Sequence, residues 1–507
     1  MWHVSTASVA TLVTAATLFS TIGTGFGPMM VAHAQEGQGS AGTGTASNPF
    51  AGYSCDASVC KPPSCRCASP GTPVANPPQF VVVTYDDAVQ AAVWPQANAL
   101  IANRKNPNGC PGLATWFAQV YYSDPLLLTQ WYAAGNEIAD HTVTHTPPFA
   151  GSYAEIEGMR AWATRLAGIP RGKIQGVRFP FLNYTADALS MIQKMGFTYD
   201  SSMSAQDSDS FWPYTLDNGP VNDCSGIIDL CSKGFKAPGL WEVPLYGISG
   251  PDGFHLMDPF NDYSITAPIA LSTIQSDYQS TFDRRYAGNR APFGIYTHPV
   301  WIGPANPPAI PDGTQKLAML QSVLNYVMSK PDTWMVTTAQ LVAYMKNPVS
   351  AAELGAQPYM QCTPNPAPPT NICNGKSVVG ADVCNLSNGT FSSCYGCPSS
   401  YPDLNNPSPP HLGSKCPVPD TCDTLWWDPA GCKCLCTVPA CAWNDTSRAI
   451  NLDPNSLNPQ NTGHGGPGST GSTAGGKTGS GASSLPTAVF ATVVIGSIMA
   501  AVSLFTL

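Results

Sequence analysis

The chain has 507 residues, of which only 11% are charged, and it contains 46 glycines and 49 prolines. So few charges with so many turn-forming residues predict one large domain accompanied by smaller modules and linkers. The 23 basic and 32 acidic residues give a net charge of −9 at pH 7, which argues against nucleic acid as a partner. A neutral glycan is compatible with that charge, but the sign alone identifies no ligand.

The 18 cysteines indicate disulfides formed in the secretory pathway. Zinc clusters are the alternative, but the spacings are irregular and no histidine lies between Cys416 and Cys441. If every cysteine pairs, and Cys224 pairs with Cys231, then Cys110 must reach another module. Cys362 is then its nearest partner.

The first 77 residues contain a predicted targeting signal and a small module. Residues 8–31 are apolar and uncharged and precede a small-x-small cleavage site, so 1–34 is predicted to be a signal peptide, with a membrane anchor as the alternative. A polar lead and a knot of four cysteines follow over 35–77.

Residues 78–348 alternate between strand-like and helix-like stretches, which predicts one α/β domain. A barrel fits this pattern, and in a barrel the catalytic residues lie on loops at the carboxyl ends of the strands. The apolar, β-branched run 80–84 is typical of a buried parallel strand. We predict further strands at 176–179, 240–244 and 293–297, and helices at 88–102, 126–134, 153–167 and 186–195.

Two carboxylates and three histidines stand out within this domain. Asp86 and Asp87 follow the first strand and repel each other unless something compensates, although a helix cap is the simpler interpretation. His141 and His145 have a spacing that places both rings on one face of a helix, where a single ion can bind both; two unrelated surface histidines are the alternative. His298 ends the apolar run 293–297.

These side chains form a coherent hydrolytic set. One carboxylate and two imidazoles make a three-ligand zinc site with an open position for water. A second carboxylate can take a proton from that water, and a separate histidine can protonate a leaving amine. Arg178 can lower the pKa of a neighbouring carboxylate and fix its orientation, unless it is only a surface arginine.

Residues 349–451 contain eleven cysteines and little periodicity, which predicts a loop-rich, disulfide-stapled module. A Gly/Ser/Thr/Pro-rich stalk follows over 452–484, and 485–507 is an uncharged tail with no basic residue after it. Small residues before this tail predict a GPI-attachment signal, with a transmembrane helix as the alternative. The ends together predict a protein held at the extracellular face of the plasma membrane or in the cell wall. Asn-x-Ser/Thr sequons begin at Asn183, Asn385, Asn388 and Asn444, as expected of an extracellular chain.

Four motifs, TYDDA (84–88), HTVTH (141–145), RFPF (178–181) and YTH (296–298), resemble in order and spacing those of the polysaccharide deacetylases, carbohydrate esterase family 4. Flanking segments such as WPYTLD (212–217) and LWEVP (240–244) resemble its eukaryotic, chitin deacetylase-like branch. The resemblance covers about 55–348. It implies a distorted (β/α) barrel of the polysaccharide deacetylase (NodB homology) type, here with small disulfide-rich modules at both ends.

The resemblance also implies a role for each matched residue. Asp87, His141 and His145 would bind Zn²⁺ or another divalent ion such as Co²⁺. Asp86 would be the general base, held by Arg178, and His298 the general acid, while the main-chain N–H of Phe181 would stabilise the oxyanion. Ala88 and Phe181 differ from the Gly and Tyr usual in the family, and neither change removes a catalytic atom. For orienting His298 the candidate is Asp200, with Asp207 and Asp209 as rivals, and Trp212 or Trp241 is predicted to wall the acetyl pocket.

The resemblance makes hydrolysis of the N-acetyl groups of chitin or its oligosaccharides, giving chitosan and acetate, the leading prediction. A non-catalytic protein that binds wall glycan is the alternative from a different class, although a binder has no use for an acid–base pair. A third possibility keeps the enzyme and changes the polymer, for example to acetylated xylan. Aromatic residues of the distal module, such as Trp426, are predicted either to stack on sugars or to pack beneath the disulfides.

Overall fold

The computed structural model describes 74–146, 152–205, 211–217, 219–220, 230, 234–250, 253–258, 269–304, 313–362, 382–394, 396–407, 426–428 and 433–435. All of them belong to one compact unit. The predicted signal peptide, four-cysteine knot, stalk and GPI-attachment tail lie outside the described residues, as do Cys224 and Cys231. Within the described ranges, none of the helices combines the length and hydrophobicity needed to cross a bilayer.

Seventeen strands are described: β1 (Gln79–Asp87), β2 (Thr115–Ala118), β3 (Glu137–Asp140), β4 (Gly176–Val177), β5 (Tyr199–Asp200), β6 (Ser204–Ala205), β7 (Tyr214–Leu216), β8 (Ala237–Glu242), β9 (Leu245–Tyr246), β10 (Ile248–Gly250), β11 (Gly253–His255), β12 (Phe293–Thr297), β13 (Thr333–Val336), β14 (Asp382–Leu386), β15 (Gly389–Ser393), β16 (Trp426–Asp428) and β17 (Lys433–Leu435). The eight α-helices among the described residues are α1 (Trp94–Ile101), α2 (Pro125–Ala133), α3 (Tyr153–Ala167), α4 (Ala186–Lys194), α5 (Leu271–Ala287), α6 (Thr314–Met328), α7 (Thr338–Lys346) and α8 (Ala351–Leu354). The predicted helix 88–102 begins only at Trp94, because Pro95 occupies its first turn and a proline fits there better than in a helix interior.

Nine strands form one curled sheet in the order β12-β1-β2-β3-β4-β5-β8-β7, with β13 paired to the first half of β1. Every pairing in this sheet is parallel except that between β7 and β8. Helices on the outer face complete an α/β half-barrel, so the predicted distorted (β/α) barrel is confirmed. Because the strands are parallel, their carboxyl ends meet along one edge, which is where chemistry is expected in this kind of fold.

Strand β1 shows how the sequence divides the core into two layers. Successive side chains of a strand point to opposite faces. Val81 and Val83 pack with the outer helices, while Phe80 and Val82 pack inside the half-barrel. The same interior face ends in polar residues, so the strand has an apolar base and a polar carboxyl end.

A buried carboxylate stabilises the amino-terminal end of the half-barrel. Glu137, at the start of β3, accepts hydrogen bonds from the Thr115 hydroxyl, the Tyr199 hydroxyl and the Ala339 N–H. Burial raises its pKa, with the three donors opposing that shift. This residue therefore joins three strands and the first turn of α7 on the side away from the strand carboxyl ends.

Two disulfides extend the compact unit beyond the sheet. Cys110 is bonded to Cys362 across a sequence separation of 252 residues, which confirms the predicted pairing. Cys384, on β14 of the hairpin β14–β15, is bonded to Cys397, which follows the hairpin in the chain. This hairpin packs on the outer helices, because the buried Phe391 ring joins their core and the Ser393 hydroxyl donates to the Leu166 carbonyl. The first part of the cysteine-rich segment is therefore packed against the α/β domain.

Candidate active site

The site begins where β1 ends. Asp86 and Asp87 are adjacent, so their side chains point in different directions. Asp86 faces the interior and is 2% exposed. Asp87 has a left-handed backbone, with φ 78°. That conformation is uncommon for a residue other than glycine and is characteristic of functional sites. The helix-cap interpretation of this pair is wrong, because α1 begins only at Trp94.

His141 and His145 lie together, but on a loop rather than a helix. The loop 141–146 follows β3, and its turn has positive φ at Thr142 (73°) and His145 (55°). The two imidazole rings are 5.0 Å apart. The i and i+4 spacing therefore predicted their proximity correctly and the local structure wrongly, because the left-handed turn achieves what one helical turn would.

The carboxylate of Glu155, in the first turn of α3, holds this loop in place. Its Oε2 accepts from the N–H groups of Val143 and Thr144, each at 2.9 Å, and its Oε1 accepts from the Thr144 hydroxyl at 2.6 Å. Glu155 is only 4% exposed. The sequence analysis missed this residue; its one local signal is an acidic side chain in the first turn of a predicted helix.

Asp87, His141 and His145 form a set whose ligand atoms all lie within 4.8 Å of one another. The Oδ1 atom of Asp87 is 3.6 Å from His141 Nε2 and 3.1 Å from His145 Nε2. His141 Nδ1 lies 2.7 Å from the Arg178 carbonyl oxygen, which can only accept, so Nδ1 carries the proton and Nε2 presents its lone pair to the set. One carboxylate and imidazole nitrogens are donors that suit a zinc-type divalent ion.

The electrostatics keep these groups in a state that can bind a cation. Burial lowers the pKa of His141 to about 4, so its ring is neutral at pH 7. For Asp87, burial raises the pKa, but the nearby rings of His298, His145 and His141 outweigh it, and the pKa lies well below its usual range. A neutral imidazole and an ionised carboxylate are the forms that coordinate metals.

Arg178 holds the second carboxylate. Its guanidinium is fully buried and donates to Asp86 Oδ1 at 2.6 Å and to the Thr84 hydroxyl at 2.8 Å, both on β1. It also donates to the carbonyl and hydroxyl of Ser201. The Phe117 ring lies under the guanidinium at 3.9 Å, an added cation–π contact. Arg178 is therefore not a surface residue, and Asp86 is fixed with one oxygen on the arginine.

His298 is oriented by Asp258, which the sequence analysis did not single out. Its Nδ1 is 2.5 Å from Asp258 Oδ2, while Asp258 Oδ1 accepts from the His298 N–H and the Thr297 hydroxyl. Nε2 then faces the site, 3.8 Å from Asp87 Oδ2. Burial opposes protonation, but Asp258 outweighs it and raises the pKa of His298 to about 10, so the ring is protonated at neutral pH.

The prediction that Asp200 orients His298 is therefore wrong. Asp200 accepts instead from the N–H and hydroxyl of Ser202, beside Glu242 of the neighbouring strand. Burial raises the pKa of Asp200 to about 6 and that of Glu242 well above its usual value. The rivals Asp207 and Asp209 lie outside the described residues. A 40-residue separation between Asp258 and His298 left no local signal for the true partner.

Phe181 stands beside the histidines. Its backbone is left-handed, with φ 56°, in the short turn Pro180–Leu182 that follows Arg178. Its ring centroid is 4.7 Å from that of His145. The turn places the Phe181 main chain at the same edge of the sheet as the carboxylates and histidines.

The tryptophans do not wall this site. Trp212 stacks on Tyr344 and packs against Phe80, at the opposite end of β1 from Asp86, and it is 1% exposed. Trp241 is likewise enclosed in the interior packing with Phe80 and Val82. The prediction of an acetyl-pocket wall is therefore wrong for both, because their bulk is used to fill the half-barrel.

The fold and site together define a (β/α)-barrel protein with the centre of a hydrolase, in which a candidate metal set, a held carboxylate and a His–Asp pair converge. Residues 74–199 match the family model described as polysaccharide deacetylase. This part of the chain is therefore similar to the polysaccharide deacetylase family.

Two relatives from Bombyx mori are similar over most of the chain. Chitin deacetylase 8 is 28% identical over 383 residues, which cover 70% of this chain and 92% of that protein. Chitin deacetylase 1 is 27% identical over 387 residues, which cover 70% of this chain and 68% of that protein. Among solved structures, the family 4 carbohydrate esterase from Streptomyces lividans matches 50% of this chain and 91% of its own at 18% identity and a TM-score of 0.27. The chitin deacetylase from Colletotrichum lindemuthianum matches 53% of this chain and 90% of its own, at 15% identity and a TM-score of 0.28.

Proposed function

We propose that this hydrolase removes N-acetyl groups from a chitin-like polymer of N-acetylglucosamine in a metal-dependent reaction that yields acetate and a free amine. The observation that carries the proposal is the arrangement at one sheet edge. Asp86 lies beside the set Asp87, His141 and His145, and its Oδ2 atom is 4.0 Å from His141 Nε2. A base, a candidate metal set and an acid are thus within reach of a single amide.

Asp87, His141 and His145 would hold the divalent ion, with Zn²⁺ the first candidate and Co²⁺ another. When bound, such an ion activates a water molecule and polarises the acetyl carbonyl. The pairing of His141 Nδ1 with the Arg178 carbonyl supports this assignment, because it leaves Nε2 unprotonated and directed at Asp87.

The remaining residues would move protons and stabilise charge. Asp86, held by Arg178, would accept a proton as the oxygen of water adds to the acetyl carbon. The Phe181 N–H would donate to the oxygen that becomes negative. His298, protonated and oriented by Asp258, would give its proton to the amine nitrogen as the C–N bond breaks. Acetate and the amine are the products.

Chitin is proposed as the polymer because both insect relatives are called chitin deacetylases. Acetylated xylan is the alternative substrate. The non-catalytic binder is disfavoured by the buried Arg178–Asp86 pair and the His298–Asp258 pair, since a binding groove has no need of either.

Secretion, with a GPI anchor at the plasma membrane or retention in the wall, is proposed from the two chain ends. The sequons support an extracellular location, because the three sequon asparagines within the described ranges, Asn183, Asn385 and Asn388, are all exposed. N-glycosylation requires such exposure.

The test is acetate release from chitin oligosaccharides by wild type and by Asp86→Asn and His298→Ala variants, each with its metal content measured. We expect both variants to retain metal and to lose at least about 100-fold in kcat, the usual scale for a general acid or base. Acetylated xylan serves as the competing substrate. Metal-loaded wild type that binds chitin oligomers but releases no acetate would refute the proposed hydrolysis and favour the binder.

A further inference from the structure

We propose that Asn183 carries an N-linked glycan at the rim of the candidate active site, where the glycan hinders long polymers more than short oligomers. The modification rests on the proposed secretion of the chain, and its effect on substrates rests on the proposed hydrolysis. It makes Asn183 a modification site that selects substrates by size, on a residue with no role in the chemistry.

The local sequence meets the requirement for this modification. Asn183, Tyr184 and Thr185 form an Asn-x-Thr sequon whose middle residue is not proline. Tyr184 is only 2% exposed, and the Thr185 hydroxyl caps α4 by accepting from the Ala188 N–H. Asn183 is the exposed member of the three, so a glycan attached to it remains in solvent when the chain folds.

The attachment is a group transfer from a lipid-linked oligosaccharide diphosphate, the donor class that the secretory pathway supplies. The Asn183 Nδ2 atom forms a bond to the anomeric carbon of the first sugar as the bond from that carbon to the diphosphate oxygen breaks. The diphosphate leaves with the electron pair of the broken bond, and the amide nitrogen loses one of its two protons to solvent. The product is a neutral side chain that is far bulkier than asparagine.

The fold places Asn183 where the chain crosses the edge of the sheet. Leu182, just before it, packs in an apolar cluster with Tyr296, whose ring lies 5.5 Å from the Arg178 guanidinium on the interior side. Tyr184, just after it, packs in the core formed with the outer helices. Because the chain passes from one layer to the other between these two residues, Asn183 lies on the rim itself.

Asn183 is also close to the groups proposed for catalysis. It follows Phe181 by two residues, so the Cα atoms of the two are at most about 7 Å apart. The Phe181 ring centroid is 4.7 Å from that of His145. A glycan on Asn183 is therefore attached beside the proposed oxyanion and metal positions.

A glycan at this rim acts through its size, because N-linked glycans are bulky and strongly hydrated. A long polymer with one sugar at the catalytic residues continues past the edge of the sheet, where it must displace or order the glycan. A short oligomer ends within the site. Ordering a flexible group on binding costs free energy, so the polymer pays a penalty that the oligomer avoids.

Mass spectrometry of the protein secreted from a eukaryotic host tests the modification directly. The peptide that contains Asn183 is compared before and after treatment with peptide N-glycosidase, which converts a glycosylated asparagine to aspartate. We expect this conversion in wild type and in Thr185→Ser, which keeps both the sequon and a hydroxyl to cap α4. An unmodified Asn183 in the wild type would overturn the proposal.

Asn183→Gln removes the glycan and keeps the turn, which is held by main-chain bonds from the Leu182 N–H to the Phe179 carbonyl and from the Asn183 N–H to the Pro180 carbonyl. The matched control is Asn388→Gln, which removes an exposed sequon from the turn of the hairpin β14–β15.

Acetate release is measured from glycol chitin, a soluble polymer, and from the N-acetylglucosamine tetramer. We expect Asn183→Gln to raise kcat/KM for glycol chitin roughly two- to tenfold, the factor for sparing one flexible group from being ordered at an interface. Its value for the tetramer should equal that of wild type, and Asn388→Gln should match wild type on both substrates.

Equal increases for polymer and tetramer, the same increase in Asn388→Gln, or no change with glycol chitin would overturn the selection by size. If the wild type releases no acetate from either substrate, the proposed function fails instead. Binding of glycol chitin to wild type and Asn183→Gln then decides the effect of the glycan. Tighter binding by Asn183→Gln supports it, and equal binding overturns it.

Discussion

The proposed catalytic residues depend on partners that no local pattern reveals. Asp86 needs Arg178, His298 needs Asp258, and the loop 141–146 needs Glu155, each from a different strand, loop or helix. Motif order along the chain predicted Asp86, Asp87, His141, His145, Arg178 and His298 as one site. Asp258 could not be predicted, because its partner lies 40 residues away and several other aspartates were equally plausible.

Removing the Glu155 carboxylate should weaken metal binding. We expect Glu155→Ala to raise the dissociation constant for Zn²⁺ by about tenfold, the lower end of the range for residues that orient metal ligands. Three hydrogen bonds to Val143 and Thr144 would be lost, and the histidine loop would no longer be fixed before binding. Chelator competition measures the affinity directly.

Two further variants make this test specific. Glu155→Gln should restore most of the affinity, since its amide oxygen can accept from both N–H groups while its NH₂ donates to the Thr144 hydroxyl. Glu157→Ala is the matched control on the same helix, where the glutamate pairs with Arg171 instead of the loop. Similar losses in Glu155→Ala and Glu157→Ala would show that helix stability, not loop position, controls the affinity.

At the scale of elements, the sheet positions the site and the hairpin β14–β15 is joined to it through α2. Asp124 caps the amino terminus of α2 by accepting from the Leu126 N–H, and its second oxygen accepts from the Ser392 N–H of the hairpin. Strand–helix alternation predicted the α/β domain. The docking of the hairpin could not be predicted, because a segment rich in Cys, Pro and Asn carries no periodicity that identifies the face it covers.

This contact predicts a pH dependence of stability. Burial raises the pKa of Asp124 to about 6, above its value in the unfolded chain, with the N–H donors opposing the shift. At a pH between the pKa of Asp124 in the unfolded chain and its pKa in the folded protein, the folded state binds more protons than the unfolded chain. The stabilisation is therefore complete below about pH 4 and is lost as pH rises through 6. Relative to Asp124→Asn, the wild type should lose about 2–3 kcal/mol of unfolding free energy from pH 4 to pH 7. Denaturant unfolding measures it, and parallel curves for the two proteins would contradict the prediction.

At the scale of the whole molecule, the Cys110–Cys362 disulfide joins the loop before β2 to the segment after α8. The Met360 carbonyl accepts from the Asn108 side chain nearby, so the linkage lies on the amino-terminal side of the strands, away from the edge with the candidate site. Counting cysteines predicted this pair correctly, since the central domain holds an odd number. The second described disulfide, between Cys384 and Cys397, had no such signal in the sequence.

Replacing Cys110 and Cys362 together with serine should destabilise the protein without changing its chemistry. A cross-link over a loop this long restricts the unfolded chain, and its loss should cost about 2–4 kcal/mol. We expect a lower Tm by calorimetry and an unchanged kcat at 25 °C. The Cys384→Ser/Cys397→Ser variant, with a separation of 13 residues, should lose less. A larger loss from the shorter loop would show that packing of the hairpin, not chain entropy, dominates.

The sequence by itself determined the resemblance to the polysaccharide deacetylases, the parallel strand–helix alternation, six of the side chains at the site and the long-range disulfide. These follow from short patterns, since an apolar strand followed by polar residues places side chains at one sheet edge and parity restricts the cysteines. Only the tertiary structure decided that the histidines lie on a left-handed loop, that Asp258 orients His298 and that Trp212 fills the interior. It also decided that the hairpin packs against α2. Each of these depends on contacts between residues distant in the chain, which local patterns do not specify.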